Sequence, residues 1–417
     1  MDRKLFDKNR KKMVSNMEDN SLMVLFSGEA PARSGDSLYS FFVNRNFFYV
    51  TGIDRDKMIY IACKKNGVEK SMLFIPPSNG QMARWIGENM TAEEAGNISG
   101  IEEIRCIDEF ETEIEKLIND TNCVYIDMDD KFDRPYSTKS LRFGARLKNK
   151  YPDTEIKDAQ DIFAPLRQIK EAEEINVMKK AIDITKDGIY SMMKNAKPGM
   201  MEYEIEAYFD FELKRNGVKV PAFTTIAAGG ENATVLHYED NNSVVNDGEM
   251  ILFDLGASWG NYSADITRTF PVNGKFTDTQ KDFYNMVLEG QKLVIDMIRP
   301  GVPYADLNKA LREYYVEQMG KRGFVKNDEE LSEYYFHSVS HHLGLETHDV
   351  GNRNGLLEEG MVITVEPGIY IKELGIGIRI EDDVLVTADG CEVLSKDIIK
   401  EAEDIERFMC GELNERI

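Results

Sequence analysis

The chain contains five histidines, His237, His337, His341, His342 and His348, with none in its first 236 residues or its last 69. Four of them fall within twelve positions, in the segment His337-Ser338-Val339-Ser340-His341-His342-Leu343-Gly344-Leu345-Glu346-Thr347-His348-Asp349-Val350-Gly351. A lone histidine is ordinarily a satisfied structural residue, but this concentration, flanked by glycine and acid, points to a metal or acid–base site. The segment is not the His-Glu-x-x-His of helical zinc peptidases, because no two of these histidines bracket a glutamate at helical spacing.

Four carboxylates extend the pattern. Met250 to Ala257 is an apolar strand that meets an acid at Asp254, and a carboxylate there is costly unless paired or metal-bound. Eleven residues on, the run Tyr262 to Phe270 predicts a strand with Asp265, Thr267 and Thr269 on one face, so Asp254 and Asp265 could meet across a hairpin containing Gly260-Asn261. Met361 to Gly368 is a buried-type strand closing on Glu366 before Pro367-Gly368. Gly375 to Asp383 alternates, with Arg379, Glu381 and Asp383 on one side and Ile378 and Ile380 on the other. Taken singly, each aspartate reads as a strand-end or turn residue, and Arg379 beside Glu381 reads equally as a same-face ion pair. Four such acids with a histidine cluster among them are hard to explain as independent accidents. Oxygen donors with one imidazole suit manganese, cobalt, iron or zinc. Aspartate and glutamate can also bridge two cations, the arrangement that activates water against an amide.

The elements that must position these groups follow from periodicity. Apolar runs at Leu22 to Phe26, Met58 to Cys63, Ser71 to Ile75 and Cys123 to Ile126 predict strands, separated by helical segments such as Glu111 to Ile118. Arg3 to Lys12 predicts a solvated first helix. The aromatic run Phe41 to Gly52 predicts a buried strand, with an interface edge as the alternative. From Lys170 to Lys197, apolar residues at steps of three, four or seven (Ile175, Met178, Ile182, Ile189, Met193) predict a long amphipathic helix, stopped by Pro198-Gly199. A domain boundary is expected between residues 164 and 170, leaving one larger domain of about 250 residues behind it.

Here the residues resemble a known family. The order Asp254, Asp265, His341, Glu366, Glu381 is similar to the five metal ligands of the dinuclear peptidases of the pita-bread fold, which include methionine aminopeptidase, aminopeptidase P and prolidase. His337-x-x-x-His341-x-Leu-Gly-x-x-x-His348-Asp-x-Gly resembles the signature of the proline-specific branch. Gly35-Asp36-Ser37-Leu38-Tyr39 and Asn46 to Gly52 resemble the N-terminal domain of aminopeptidase P, so the likeness spans essentially the whole chain.

The resemblance implies an α/β (α+β) fold, with a creatinase/aminopeptidase P-type α/β domain over residues 1–166 and a pita-bread catalytic domain over 167–417. It implies two divalent ions, manganese foremost, with Asp254 on one, His341 and Glu366 on the other, and Asp265 and Glu381 bridging. A hydroxide between the metals would attack the bond before proline in an Xaa-Pro aminopeptidase, the dipeptidase prolidase being the nearest rival. Glu366 would shuttle the proton, His348 would stabilise the oxyanion and His237 would contact substrate. His337, Arg379 and Tyr370 would form the proline pocket. Relatives of this shape assemble as dimers or tetramers, so a homodimer or homotetramer is expected, with Trp85 facing either a neighbour's cleft or its own core. A non-catalytic relative or a metal-free amidinohydrolase is the more remote reading, disfavoured by the intact ligand positions. His342 and Thr347 depart from the family pattern without removing a ligand, and His342 is expected to face away from the site.

Charge and cysteines bound the remainder. With 74 acidic and 51 basic residues the formal charge is −23, which repels nucleic acid and anionic lipid, so peptides rather than either are the expected partners. No stretch approaches the ~18 continuous apolar residues of a membrane span. The charged N-terminus, Met1 to Lys8, lacks a signal core. Five scattered cysteines without a Cys-x-x-Cys pair fit reduced thiols, so a cytoplasmic location is expected.

Overall fold

The structure is a computed structural model and describes residues 1–128 and 138–413. The chain forms two compact units, Met1–Leu166 and Arg167–Ile417.

The first unit is built on a six-stranded mixed sheet in the order Glu103–Cys106, Val68–Ile75, Ile59–Lys65, Ser21–Phe26, Cys123–Ile126, Glu155–Asp158. Ser21–Phe26, Ile59–Lys65 and Val68–Ile75 pair antiparallel in a meander, and the outer strands join in parallel. Val24, Ile61, Phe74 and Ile126 on one face pack with Phe110, Ile114 and Phe143 of the helices Phe110–Ile118 and Lys139–Lys150. The aromatic run departs from its expectation, because Arg45–Thr51 is a helix and not a strand. Local capping decides this. The Asn44 side chain accepts from the Phe47 N–H, and Gly52 takes the left-handed conformation (φ 69°) that closes the last turn. The run is nevertheless buried, as its aromatics suggest: Phe47, Phe48, Tyr49 and Val50 are all inside. Asn9 and Arg10 of the first helix, Arg3–Asn16, donate to the carbonyls of Tyr49 and Val50 that a helix C-terminus leaves free.

In the second unit the long helix runs from Ala172 to Asn195 and the next from Glu202 to Arg215. Met250–Leu255 pairs antiparallel with both Ile266–Pro271 and Ile226–Gly229. Val362–Val365 pairs with Asp382–Val386, and Gly368–Ile371 with Ile376–Arg379. The period of two sorts their side chains. Ile251, Phe253, Ile363, Val365, Ile378 and Ile380 enter one core with Met193 and Phe209 of those helices and Tyr284, Leu311 and Tyr315 of the helices Asp278–Met297 and Tyr304–Lys321. Asp254, Thr364, Glu366, Arg379 and Glu381 fall on the other parity.

Two expected strands are interrupted at the site. Tyr262–Ser263 and Ile266–Pro271 are separated by Ala264-Asp265, and Ile376–Arg379 and Asp382–Val386 by Ile380-Glu381. In each gap the backbone turns to a partner outside the ladder: the Asp265 N–H donates to the Asp383 carboxylate, and that of Glu381 to the Thr267 carbonyl. The hairpin before Asp265 is as the sequence indicates. Gly260 and Asn261, both at positive φ (55° and 68°), make the two-residue turn between the paired Trp259 and Tyr262.

Candidate active site

A cavity of about 580 Å³ in the second unit is lined by Asp254, Asp265, His341, Glu366 and Glu381, and also by His237, His337, His348 and Arg379. Tyr370 lies behind it, joined through Arg379 and His337. The donor atoms of Asp265, His341 and Glu381 lie within 4.8 Å of one another, and all three residues are buried. His341 Nε2 is 3.2 Å from Asp265 Oδ2 and 3.6 Å from Glu366 Oε1.

The tautomer of His341 gives this geometry its meaning. Its Nδ1 lies 3.0 Å from the His342 carbonyl, which can only accept, so the ring proton sits on Nδ1 and Nε2 presents a lone pair to the acids. Burial and neighbouring His348 push the imidazolium form down to about 3, which keeps the ring neutral. Without metal, the proton between Nε2 and Asp265, 3.2 Å apart, has to come from the carboxyl, and a cation held by both groups would take its place.

The carboxylates agree. Burial, followed by the surrounding acids, raises Asp265 and Glu381 well above the ordinary carboxyl range. Burial also moves Glu366 up to about 8, against the pull of Arg379. Such crowding is relieved by a bound cation, which inverts the local preference for neutral carboxyls. One carboxylate is placed differently: Asp254 Oδ2 accepts from Arg379 Nη2 at 2.6 Å, while its buried Oδ1 has no hydrogen-bond partner among the described residues.

The supports are hydroxyls on the same strand faces. Thr267 Oγ1 donates to Glu381 Oε2 (2.7 Å), Thr364 Oγ1 donates to Glu366 Oε1 (3.4 Å), and the His341 N–H donates to Thr364 Oγ1. A buried ion pair, Arg268 to Asp382 at 2.8 Å, sits behind them, with Arg268 Nη1 also holding the Glu381 carbonyl. Along the cavity wall Arg379 Nη1 donates to the Tyr370 hydroxyl (2.9 Å). The Tyr370 O–H then lies 2.9 Å from His337 Nε2, and His337 Nδ1 lies 2.9 Å from the Ser338 carbonyl. The carbonyl fixes that ring too, with its proton on Nδ1 and Nε2 accepting from Tyr370.

Over residues 176–388 the chain matches metallopeptidase family M24, and over residues 6–125 it matches the aminopeptidase P N-terminal domain. The Xaa-Pro aminopeptidase of Haemophilus influenzae is 34% identical across 97% of this chain and 96% of its own. The chain belongs to metallopeptidase family M24. Among solved structures, aminopeptidase P from Escherichia coli with the inhibitor Pro-Leu is 31% identical, with a TM-score of 0.91 over 99% of both chains. A Bacillus anthracis structure, itself only provisionally assigned as an aminopeptidase P, is 47% identical with a TM-score of 0.96 over 99% of both. The pita-bread and N-terminal domain folds expected from the sequence are those of these neighbours, and membership in M24 makes the chain a divalent-metal peptidase.

Within this M24 chain, Phe223, Thr224, Glu239 and Arg353 also line the cavity and were not singled out from the sequence. They lie on loops, where periodicity carries no signal. Thr364 had one, since it stands two residues before Glu366 on a strand. His342 is fully buried outside the cavity wall, with its ring 5.3 Å from that of Tyr304. Its bridge to Ile363 turns the side chain away from that of His341.

Proposed function

We propose that this chain is an Xaa-Pro aminopeptidase, removing the N-terminal residue from peptides whose second residue is proline. The observation that carries the reading is the unprotonated His341 Nε2 facing Asp265 inside one cavity with Asp254, Glu366 and Glu381, bordered by the hydrogen-bonded series Arg379, Tyr370, His337.

Oxygen donors with one imidazole suit two Mn²⁺ ions. Asp254 would serve one, His341 and Glu366 the other, and Asp265 and Glu381 both. Bound there, the ions supply Lewis acidity toward the scissile carbonyl and lower the pKa of water. The protein's own groups do the remainder. Glu366 takes the proton from the attacking water and returns it to the leaving proline nitrogen. His348, exposed to the cavity, donates to the developing oxyanion. His237 reaches the substrate from the facing loop. The bond before proline has no N–H, so His337, Tyr370 and Arg379 select the ring by shape and not by a donor on the scissile nitrogen.

The working form we take to be a cytoplasmic homodimer or homotetramer. Trp85 (83% exposed), Ile86 and Tyr39 are apolar groups on the surface of the first unit, of the kind that assembly covers. The five unpaired cysteines suit a reducing compartment. Among the described residues no helix is long and apolar enough to cross a membrane.

The test is a substrate panel with Mn²⁺-loaded protein. Xaa-Pro-Xaa tripeptides should be cleaved at the first bond and Xaa-Ala-Xaa controls left intact. Hydrolysis confined to Xaa-Pro dipeptides would make the chain a dipeptidase, and inactivity on both would remove the peptidase reading.

A further inference from the structure

His237, placed above at the substrate, makes no hydrogen bond through its ring among the described residues and stands exposed on the cavity wall. Its position is therefore set by its backbone, and that backbone is gripped from one point. Glu202, the first residue of the helix Glu202–Arg215, is completely buried. Its Oε1 accepts from the Gly229 N–H (2.7 Å) and Asn232 Nδ2 (2.9 Å), and its Oε2 from the Tyr238 hydroxyl (3.0 Å) and the Ser243 N–H (2.8 Å). These four donors span the loop from one end to the other, and Tyr238 is the immediate neighbour of His237.

The same helix adds to the grip. The N–H groups of Glu202 and Tyr203, left free by their position in its first turn, donate to the carbonyls of Ser243 and Asn241. One turn on, Glu206 Oε2 accepts from Asn241 Nδ2 at 2.9 Å. A carboxylate buried without a cation, its two oxygens fully used by four neutral donors on one loop, is a costly way to hold a surface segment. None of the five proposed metal-holding side chains lies on the loop, so the cost is not spent on the metal centre.

We propose that Glu202 is a positioning residue for the reaction: its four-point hold on residues 229–243 sets where the His237 ring stands at the substrate. This rests on the reading of His237 given above. Glu202→Gln isolates the role. One oxygen becomes an NH₂ that faces two donors, so two of the four bonds are lost while volume is kept.

The experiment is a double-mutant cycle on the Mn²⁺-loaded full chain with an Xaa-Pro-Xaa tripeptide, reading kcat, KM, bound metal and thermal midpoint. His237→Ala should lower kcat/KM by about 100-fold. Glu202→Gln should lower it by about tenfold with bound metal unchanged, and by less than about twofold when His237 is already alanine. Tyr238→Phe, which deletes a single hydroxyl, should give a loss of about threefold with the same dependence on His237, and decides the matter if Glu202→Gln does not fold. Equal proportional losses in both backgrounds would overturn the role of Glu202 alone. Full activity of His237→Ala would remove the reading of His237 and this proposal with it.

Discussion

Arg379 Nη2 stands 2.6 Å from Asp254 Oδ2, a guanidinium buried to 2% exposure against a carboxylate that also borders the proposed metal centre. The pair gives Asp254 a charge partner whether or not a cation is present, and Arg379 is held well above its ordinary value by the surrounding acids and Tyr370 despite its burial.

Arg379→Met should therefore cost more than the pocket it lines. Removing one member of a buried ion pair leaves the other uncompensated, a loss of about 3–5 kcal/mol. Urea unfolding of the metal-free protein should show this loss, and a change below about 1 kcal/mol would mean that Asp254 finds water or a neighbour instead.

Tyr370→Phe removes the hydroxyl that takes the Arg379 donor and feeds His337 Nε2. The expected cost is about 1–3 kcal/mol of stability from unpaired buried groups. Cleavage of Xaa-Pro-Xaa should also fall, with bound metal unchanged. A mutant that cleaves it normally while still leaving Xaa-Ala-Xaa intact would place Tyr370 outside proline selection.

Asp265→Asn should act in opposite directions on the two forms of the protein. Without metal it removes a carboxyl whose burial forces it to take up a proton on folding, so the thermal midpoint should rise. With metal it removes a shared ligand, so activity should fall by at least about 100-fold and bound Mn²⁺ should drop. A mutant that binds two ions per chain and turns over normally would refute the bridging role.

The same crowding predicts how the metal-free protein responds to pH. Glu366 sits at about 8 when folded against an ordinary 4.5, so the folded state holds its proton more tightly, and stability falls as pH rises between those values. His337 and His341 work the other way below pH 6.5. Their folded values near 3 make the unfolded chain the better proton binder, so stability rises with pH up to 6.5. Between about pH 6.5 and 8 only the carboxyl effect remains, and the metal-free midpoint should fall there. Mn²⁺, held by Glu366 among others, should flatten that slope. A slope of equal size with Mn²⁺ bound would show that it arises elsewhere.

Much of this site was legible because strand parity is a strict rule. Asp254, Glu366, Arg379 and Glu381 each alternate with core residues that the sequence marks as apolar, and the structure sorts them to opposite faces. Parity has no means of showing that the ladder breaks at Ala264-Asp265 and Ile380-Glu381, because those breaks answer to partners over 100 residues away, Asp383 for one and Thr267 for the other. The helix Arg45–Thr51 was misread for the converse reason. A segment buried on all sides has no polar face to reveal its period, and only Asn44 and Gly52 mark its ends. Glu202 was silent because one glutamate at the start of a helix is among the commonest patterns there is.

All five proposed metal-holding residues lie between Asp254 and Glu381, within the unit that begins at Arg167, and each of the two units carries its own family match. Residues 1–166 therefore contribute none of the proposed metal-holding side chains, which all fall in one contiguous stretch of 128 residues of the second unit.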